Sequence, residues 1–229
     1  MYAAVVAGGY LLHVRFVERR SCSELRLRDA ASLLPAGIGI PFVFILPCLA
    51  VLRALGNLGL TAVRPWTSIG APLVDGVYSG VIEEIFFRGL LFRLLEKLTG
   101  TWPALLLSAL AFWAAHLGNA NEQAMKAAAI ALLPGVLLGA GFIAARSLWL
   151  PIGIHASWDF LLGNVAADAP GIFQVEYRGP RWLTGGPLAP DGSLLEAILI
   201  LAISVALLRT ARQRGRIHSR SNQPPRIGS

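Results

Sequence analysis

The sequence predicts an all-α polytopic membrane protein, with about seven transmembrane helices and any functional site in the core of the bundle. Three observations predict it. Of the 229 residues, 55% are hydrophobic and only 14% are charged, against roughly 25% charged in a soluble domain. The mean hydropathy is +0.61. The apolar residues fall in runs near the ~20 residues that cross a bilayer core of about 30 Å, and clusters of Arg, Gly and Pro separate the runs. An ordinary soluble cytosolic protein is excluded by this balance.

The first run, about 1–17, ends in "HVRFVERR". Its positive charges follow the apolar residues instead of preceding them, which is not the pattern of a cleavable signal peptide. It reads as a short or truncated first span. The second, about 33–54, carries Pro41 and Pro47, which neighbouring helices can accommodate. Residues 55–75, with Gly56, Gly59, Pro65, Gly70 and Pro72, read as a loop or interfacial segment.

The third run, about 76–98, is closed by Gly100 and Pro103, and the fourth covers about 102–118. The fifth, about 124–145, has Gly135, Gly139 and Gly141 for close helix contact. The sixth covers about 147–166, a Gly-, Pro- and aromatic-rich loop covers 167–193, and the last helix covers about 194–209. One membrane-embedded domain, 1–209, is expected, followed by a polar, basic and disordered tail over 210–229.

The net charge is +7, and the arginines cluster at Arg15–Arg28 and at Arg209–Arg226. Beside apolar helices such clusters mark cytoplasmic flanks with affinity for anionic lipid, and nucleic acid is not the expected partner. Placing the first cluster in the cytoplasm puts Arg93, Lys97, Arg146 and the tail on the same side. The loops 55–75, 119–123 and 167–193 then fall outside, with Arg53 and Arg64 as imperfections. Cys22 and Cys48 give no metal spacing and are not expected to form a disulfide.

Six ionisable residues lie well inside the spans: Glu83, Glu84, Arg88, His116, His155 and Asp159. A charge at the centre of a spanning helix costs about 2.5–3.5 kcal/mol on insertion scales, so intramembrane charges are functional candidates by default. In "VIEEIFFRGL", Glu84 and Arg88 are i,i+4 and share a helix face, where they can pair. Glu83 is turned by about 100° and remains available for chemistry. Phe112 and His116 in "FWAAH", and His155 and Asp159 in "HASWD", are i,i+4 on two later helices. The expected topology carries Glu83, Glu84, His116 and Asp159 to a similar depth. A buried Glu can act as general base, one His can position water or bind a metal, and a second can stabilise an oxyanion. Each pair also has a structural reading: Glu84–Arg88 as an ion pair, His116 as a satisfied core histidine, and His155–Asp159 as a local hydrogen bond.

"EEIFFR", "FWAAH" and "HASWD", in this order on separate helices, resemble the CPBP family of CAAX prenyl and bacteriocin-processing intramembrane proteases, also called Abi. The family motifs are EExxxR, FxxxH and HxxxN, and the resemblance covers about residues 80–165 by motif, within a core of about 76–209. "RWLTGGPLAPDGSLL", Arg181 to Leu195, is similar to the loop before the last helix in bacterial members.

The resemblance implies an intramembrane endopeptidase acting on a membrane-associated protein or peptide, in a bacterial inner membrane. Glu83 and His116 would activate water, His155 and Asp159 would stabilise the oxyanion, and Glu84 and Arg88 would support the site. No HExxH is present, so a metal-independent reaction is expected; a divalent ion such as zinc, if bound, would be held by Glu83, His116 and His155. Asp159 departs from the family's Asn, because an ionised Asp cannot donate a hydrogen bond to an oxyanion. It would have to be protonated or orient His155. The other readings of these charges are a proton-coupled transporter or channel and a non-catalytic immunity or scaffold protein.

Overall fold

The computed structural model describes residues 2–116, 122–166, 169–186 and 189–219, and over 122–131 the backbone alone. Most of the expected loop at 119–123 and residues 220–229 of the tail lie outside the described residues.

Helix α1 (Tyr2–Leu12) continues into a wide π turn over His13–Val17. Helix α2 (Leu27–Ala54) begins ahead of the expected 33. Its first turn, "LRDA", is polar in composition, yet Asp29 sits where a helix N-terminus favours negative charge. A short strand β1 (Leu58–Val63) precedes α3 (Gly70–Glu84), a π-helical stretch (Ile85–Phe92) and α4 (Arg93–Thr99). The third helical run therefore starts six residues early. Pro72 does not prevent this, because a first-turn residue has no helical acceptor for the N–H that proline lacks. Gly100, at φ +88°, adopts a backbone conformation open to glycine and reverses the chain into α5 (Thr101–Ala115). Helices α6 (Glu122–Ala145) and α7 (Trp149–Val165), strand β2 (Phe173–Tyr177), the single turn α8 (Arg181–Thr184) and α9 (Leu194–Gln213) complete the order.

One expectation needs correction. The fold is mostly helical but not all-α: β1 and β2 pair antiparallel, from Leu58 opposite Tyr177 to Val63 opposite Phe173. The strands lie more than a hundred residues apart, so neither gives a local hairpin signal. The structure does not confirm the count of about seven spans. Among the described residues, Leu27–Ala54 and Leu194–Gln213 are long and apolar enough to cross a membrane, and Ala3–Val17, Thr101–Ala115 and Leu132–Ala145 are shorter apolar helices. The third run is broken by its π segment.

The two ends of the bundle differ in chemistry. At one end β1–β2 is tied down by Arg64, whose Nη1 donates to Ala169 O at 2.7 Å, and by Asn57 Nδ2, which donates to Arg178 O at 2.6 Å. At the other end Arg93 bridges Glu18 and Glu24, and Arg146 pairs with Glu96 at 2.5 Å. The C-terminal segment joins this ionic end. Helix α9 runs to Gln213, beyond the expected 209, and Arg216 O accepts from Arg146 while Thr101 N donates to His218 O at 2.9 Å. These contacts hold residues 214–219 against α5 and α6, where a loose tail was expected from 210.

Helix α7 is the axis of the bundle, and Leu150–His155 is buried without interruption. Small residues let its neighbours approach to backbone contact. A Cβ on Gly80 of α3 would stand 2.9 Å from Ala156 N, and one on Gly153 of α7 would stand 2.6 Å from Leu34 O of α2. Packing at this distance is what brings α3 carboxylates within reach of α7 imidazoles.

Candidate active site

Glu84 and Arg88 are fully buried. Arg88 Nη1 donates to Glu84 Oε1 at 2.9 Å, and Nη2 donates to Gly135 O at 3.0 Å. The guanidinium carbon lies 4.7 Å from the centroid of Phe112, so the cation also rests on an aromatic face. The pairing read from i,i+4 spacing is therefore present, and it has a third member. His155 Nδ1 lies 2.8 Å from the same Glu84 Oε1. A carboxylate only accepts, so Nδ1 carries the hydrogen in this contact. Glu84 thus fixes an imidazole on α7 as well as an arginine one turn along its own helix.

Glu83 faces a different partner. Its Oε2 lies 3.9 Å from His116 Nε2, at the C-terminal end of α5. His116 Nδ1 is 2.8 Å from Phe112 O, and since a carbonyl only accepts, Nδ1 carries the hydrogen. The Nε2 lone pair of the neutral ring is then left towards Glu83. A gap of 3.9 Å is too long for a hydrogen bond. The Glu83 and His116 side chains are 31% and 43% exposed, against 0% for Glu84, so this half of the site is the accessible half.

Asp159 Oδ2 lies 3.6 Å from His155 Nε2, which is an ion-pair distance but long for a hydrogen bond. The same oxygen accepts from the Ser79 hydroxyl. Asp159 is therefore an acceptor in this contact, on the side of the ring that carries Nε2. Ser79 was not among the sequence candidates. It stands on α3 four residues before Glu83, the same helical spacing that marked the other pairs, but a serine among small residues gives no charge to notice.

Three buried atoms of the site, Glu83 Oε2, Glu84 Oε2 and Arg88 Nε, have no hydrogen-bond partner among the described residues. No three His, Cys, Asp or Glu side chains among the described residues converge as a metal-binding group. Glu83, His116 and His155 are divided instead between two contacts, Glu83–His116 and Glu84–His155. From behind, Trp158 Nε1 donates to Asp191 Oδ1 at 3.2 Å, which fastens α7 to the segment before α9.

Residues 65–161 match the family model described as Rce1-like, type II CAAX prenyl endopeptidase. This segment belongs to the CAAX protease family. All six candidate residues and Ser79 lie within the CAAX protease segment; the N-terminal helices and the last helix lie outside it. No curated protein and no solved structure matches the chain. The matched family is one of proteases, and with the two long apolar helices it supports a membrane protein.

Proposed function

We propose that the chain is an intramembrane endopeptidase in which Glu83 and His116 activate the attacking water and the Glu84–Arg88–His155 group supports the transition state. The observation that carries this reading is the presence of two acid–imidazole pairs, a part-exposed Glu83–His116 and a buried Glu84–His155. A water between Glu83 Oε2 and the unprotonated Nε2 of His116 can give a hydrogen to each, and Glu83 takes its proton as it attacks the scissile carbonyl. Glu84, on Nδ1, is the acid behind His155 and orients it as in triads, and a hydrogen on Nε2 donates to the charge that develops on the carbonyl oxygen. Asp159 lies on the Nε2 side as an acceptor, instead of donating to that oxygen itself. This chemistry is complete without a metal.

The substrate class is a peptide or protein at the membrane, and the family name points to prenylated tails. The arginines of the ionic end favour anionic lipid and a cytoplasmic position for that end and for the C-terminus, in a bacterial inner membrane. A proton-coupled carrier is not favoured, because the residues match a protease family.

The test uses full-length protein in proteoliposomes with a farnesylated CAAX peptide. It also compares membrane proteomes of wild-type and Glu83→Gln cells for an uncut precursor. Glu83→Gln is expected to lower cleavage by at least about 10²-fold while the protein still inserts and purifies as one species. Wild-type turnover in this variant would remove Glu83 as the base.

A further inference from the structure

The site helix is not a regular α-helix. Directly after Glu84 it widens into the π segment Ile85–Phe92, which contains Arg88, and returns to α-helix at Arg93. Where the helix narrows again, the Arg93 amide bonds to Leu90 O, three residues back. The Gly89 carbonyl is served by side chains. Arg93 Nη1 donates to it at 3.1 Å, and the Tyr10 hydroxyl of α1 lies 3.1 Å away.

Those two side chains belong to one buried group. Tyr10 is 3% exposed, and its hydroxyl donates to Glu24 Oε1. Arg93 Nη1 also lies 3.1 Å from the same Glu24 oxygen and 3.1 Å from Tyr10 Oη, and its two hydrogens are shared among these acceptors. Arg20 closes the group with 2.6 Å and 2.9 Å bonds to the two Glu24 oxygens. Burial alone would favour the neutral acid, but the bonds from Arg20, Tyr10 and Arg93 outweigh it and hold the Glu24 carboxyl down at about 2. The approach is also steric: a Cβ on Gly89 would stand 3.1 Å from the Tyr10 ring.

The residue next to Gly89 is Arg88, the cation that neutralises Glu84. We infer that Tyr10, Glu24 and Arg93 are positioning residues, which hold the π segment in the register that keeps the Arg88 guanidinium on Glu84 and so keeps His155 in place. A π turn is a strained insertion in an α-helix, found mostly as single turns at functional sites. Without the Arg93 donor at Gly89, which Tyr10 and Glu24 hold in place, the segment relaxes towards α-helical winding and the Arg88 side chain rotates about the helix axis. Tyr10 and Glu24 lie outside residues 65–161, so the N-terminal region acts on the matched segment at Arg93 and Gly89. This inference rests on the proposed protease activity.

Tyr10→Phe keeps the ring against Gly89 and removes the hydroxyl. In full-length protein in proteoliposomes, with the farnesylated CAAX peptide as probe, kcat is expected to fall about tenfold or more with KM within twofold. Glu24→Gln, which keeps a hydrogen-bonding partner for Tyr10, is expected to fall less. Hydrogen–deuterium exchange, which needs no substrate, is expected to rise in peptides covering 85–92 and around His155 and not elsewhere. Unchanged kcat per folded enzyme, or exchange that rises uniformly across the bundle, would overturn the inference. If Tyr10→Phe does not purify as one species, Glu24→Gln is measured in the same way and decides on the same two outcomes. An active Glu83→Gln variant defeats the protease mechanism itself. An inactive Glu83→Gln beside a fully active Tyr10→Phe defeats the positioning role alone.

Discussion

The middle of the bundle and its ionic end use the same residue types to opposite purposes. At the ionic end each carboxylate has a guanidinium partner: Glu18 and Glu24 share Arg20 and Arg93, and Glu96 takes Arg146. The groups there keep some access to water, with Arg146 at 27% and Glu18 at 18% side-chain exposure. In the middle, two glutamates stand beside one arginine, and among the described residues Glu83 has no arginine or lysine within bonding distance. Charges placed to hold elements together are matched in number. In the middle the carboxylates are one guanidinium short, and the remaining partner of Glu83 is the His116 imidazole.

The largest effect that would break this comparison comes from Arg88. Arg88→Ala leaves Glu84 buried without its cation and is expected to cost about 3–5 kcal/mol, read as a large fall in Tm in detergent. A tolerated Arg88→Ala would mean that Glu84 is not charged in the folded protein. Next is acid titration of the ionic end. For Glu18, burial opposes ionisation, but the bonds from Arg93 and Arg20 outweigh it and hold the carboxyl down at about 2, as with Glu24. Folded values below the ordinary 4.5 mean that this stability is fully present above about 4.5 and is lost as pH falls towards 2. Tm is expected to drop through that window, and Glu24→Gln is expected to flatten the drop.

A smaller effect is expected at the helix contact that joins the two halves of the site. Gly80→Val drives a branched side chain into the Ala156 backbone and should destabilise by about 1–3 kcal/mol. The surviving folded protein should lose activity more than stability, because α3 and α7 are pushed apart at Glu84–His155. The smallest change is Arg146→Gln. It removes one partly exposed pair, worth about 1 kcal/mol, and should lower Tm slightly with kcat unchanged. A kcat loss there equal to that of Glu83→Gln would dissolve the distinction between the two regions.

Much of the helix order was legible in the sequence because apolar run length is a local property. The errors fall where the signal is not local. The start of α2 was hidden by "LRDAAS", which is polar but helix-compatible. The strands "LGLTAV" and "FQVEY" are each too short to announce themselves and gain definition only from one another. The end of α9 and residues 214–219 were expected to be loose because they are basic, but Arg216 reaches Ala144 O and a packed segment results.

At the site, the sequence by itself determined which residues stand together on each helix. Spacing of four along one helix is a statement about a single cylinder, so Glu84 with Arg88 and His155 with Asp159 needed only the 3.6-residue repeat. Which helix meets which was decided by the tertiary structure. The contact of Glu84 with His155 exists because Gly80 lets α3 lie directly on the Ala156 backbone. The facing of Glu83 and His116 exists because α5 ends at that depth. The contact of Tyr10 with Gly89 exists because α1 packs its ring directly against the widened turn. Those distances depend on backbones touching across a bundle, and no repeat within one segment encodes them.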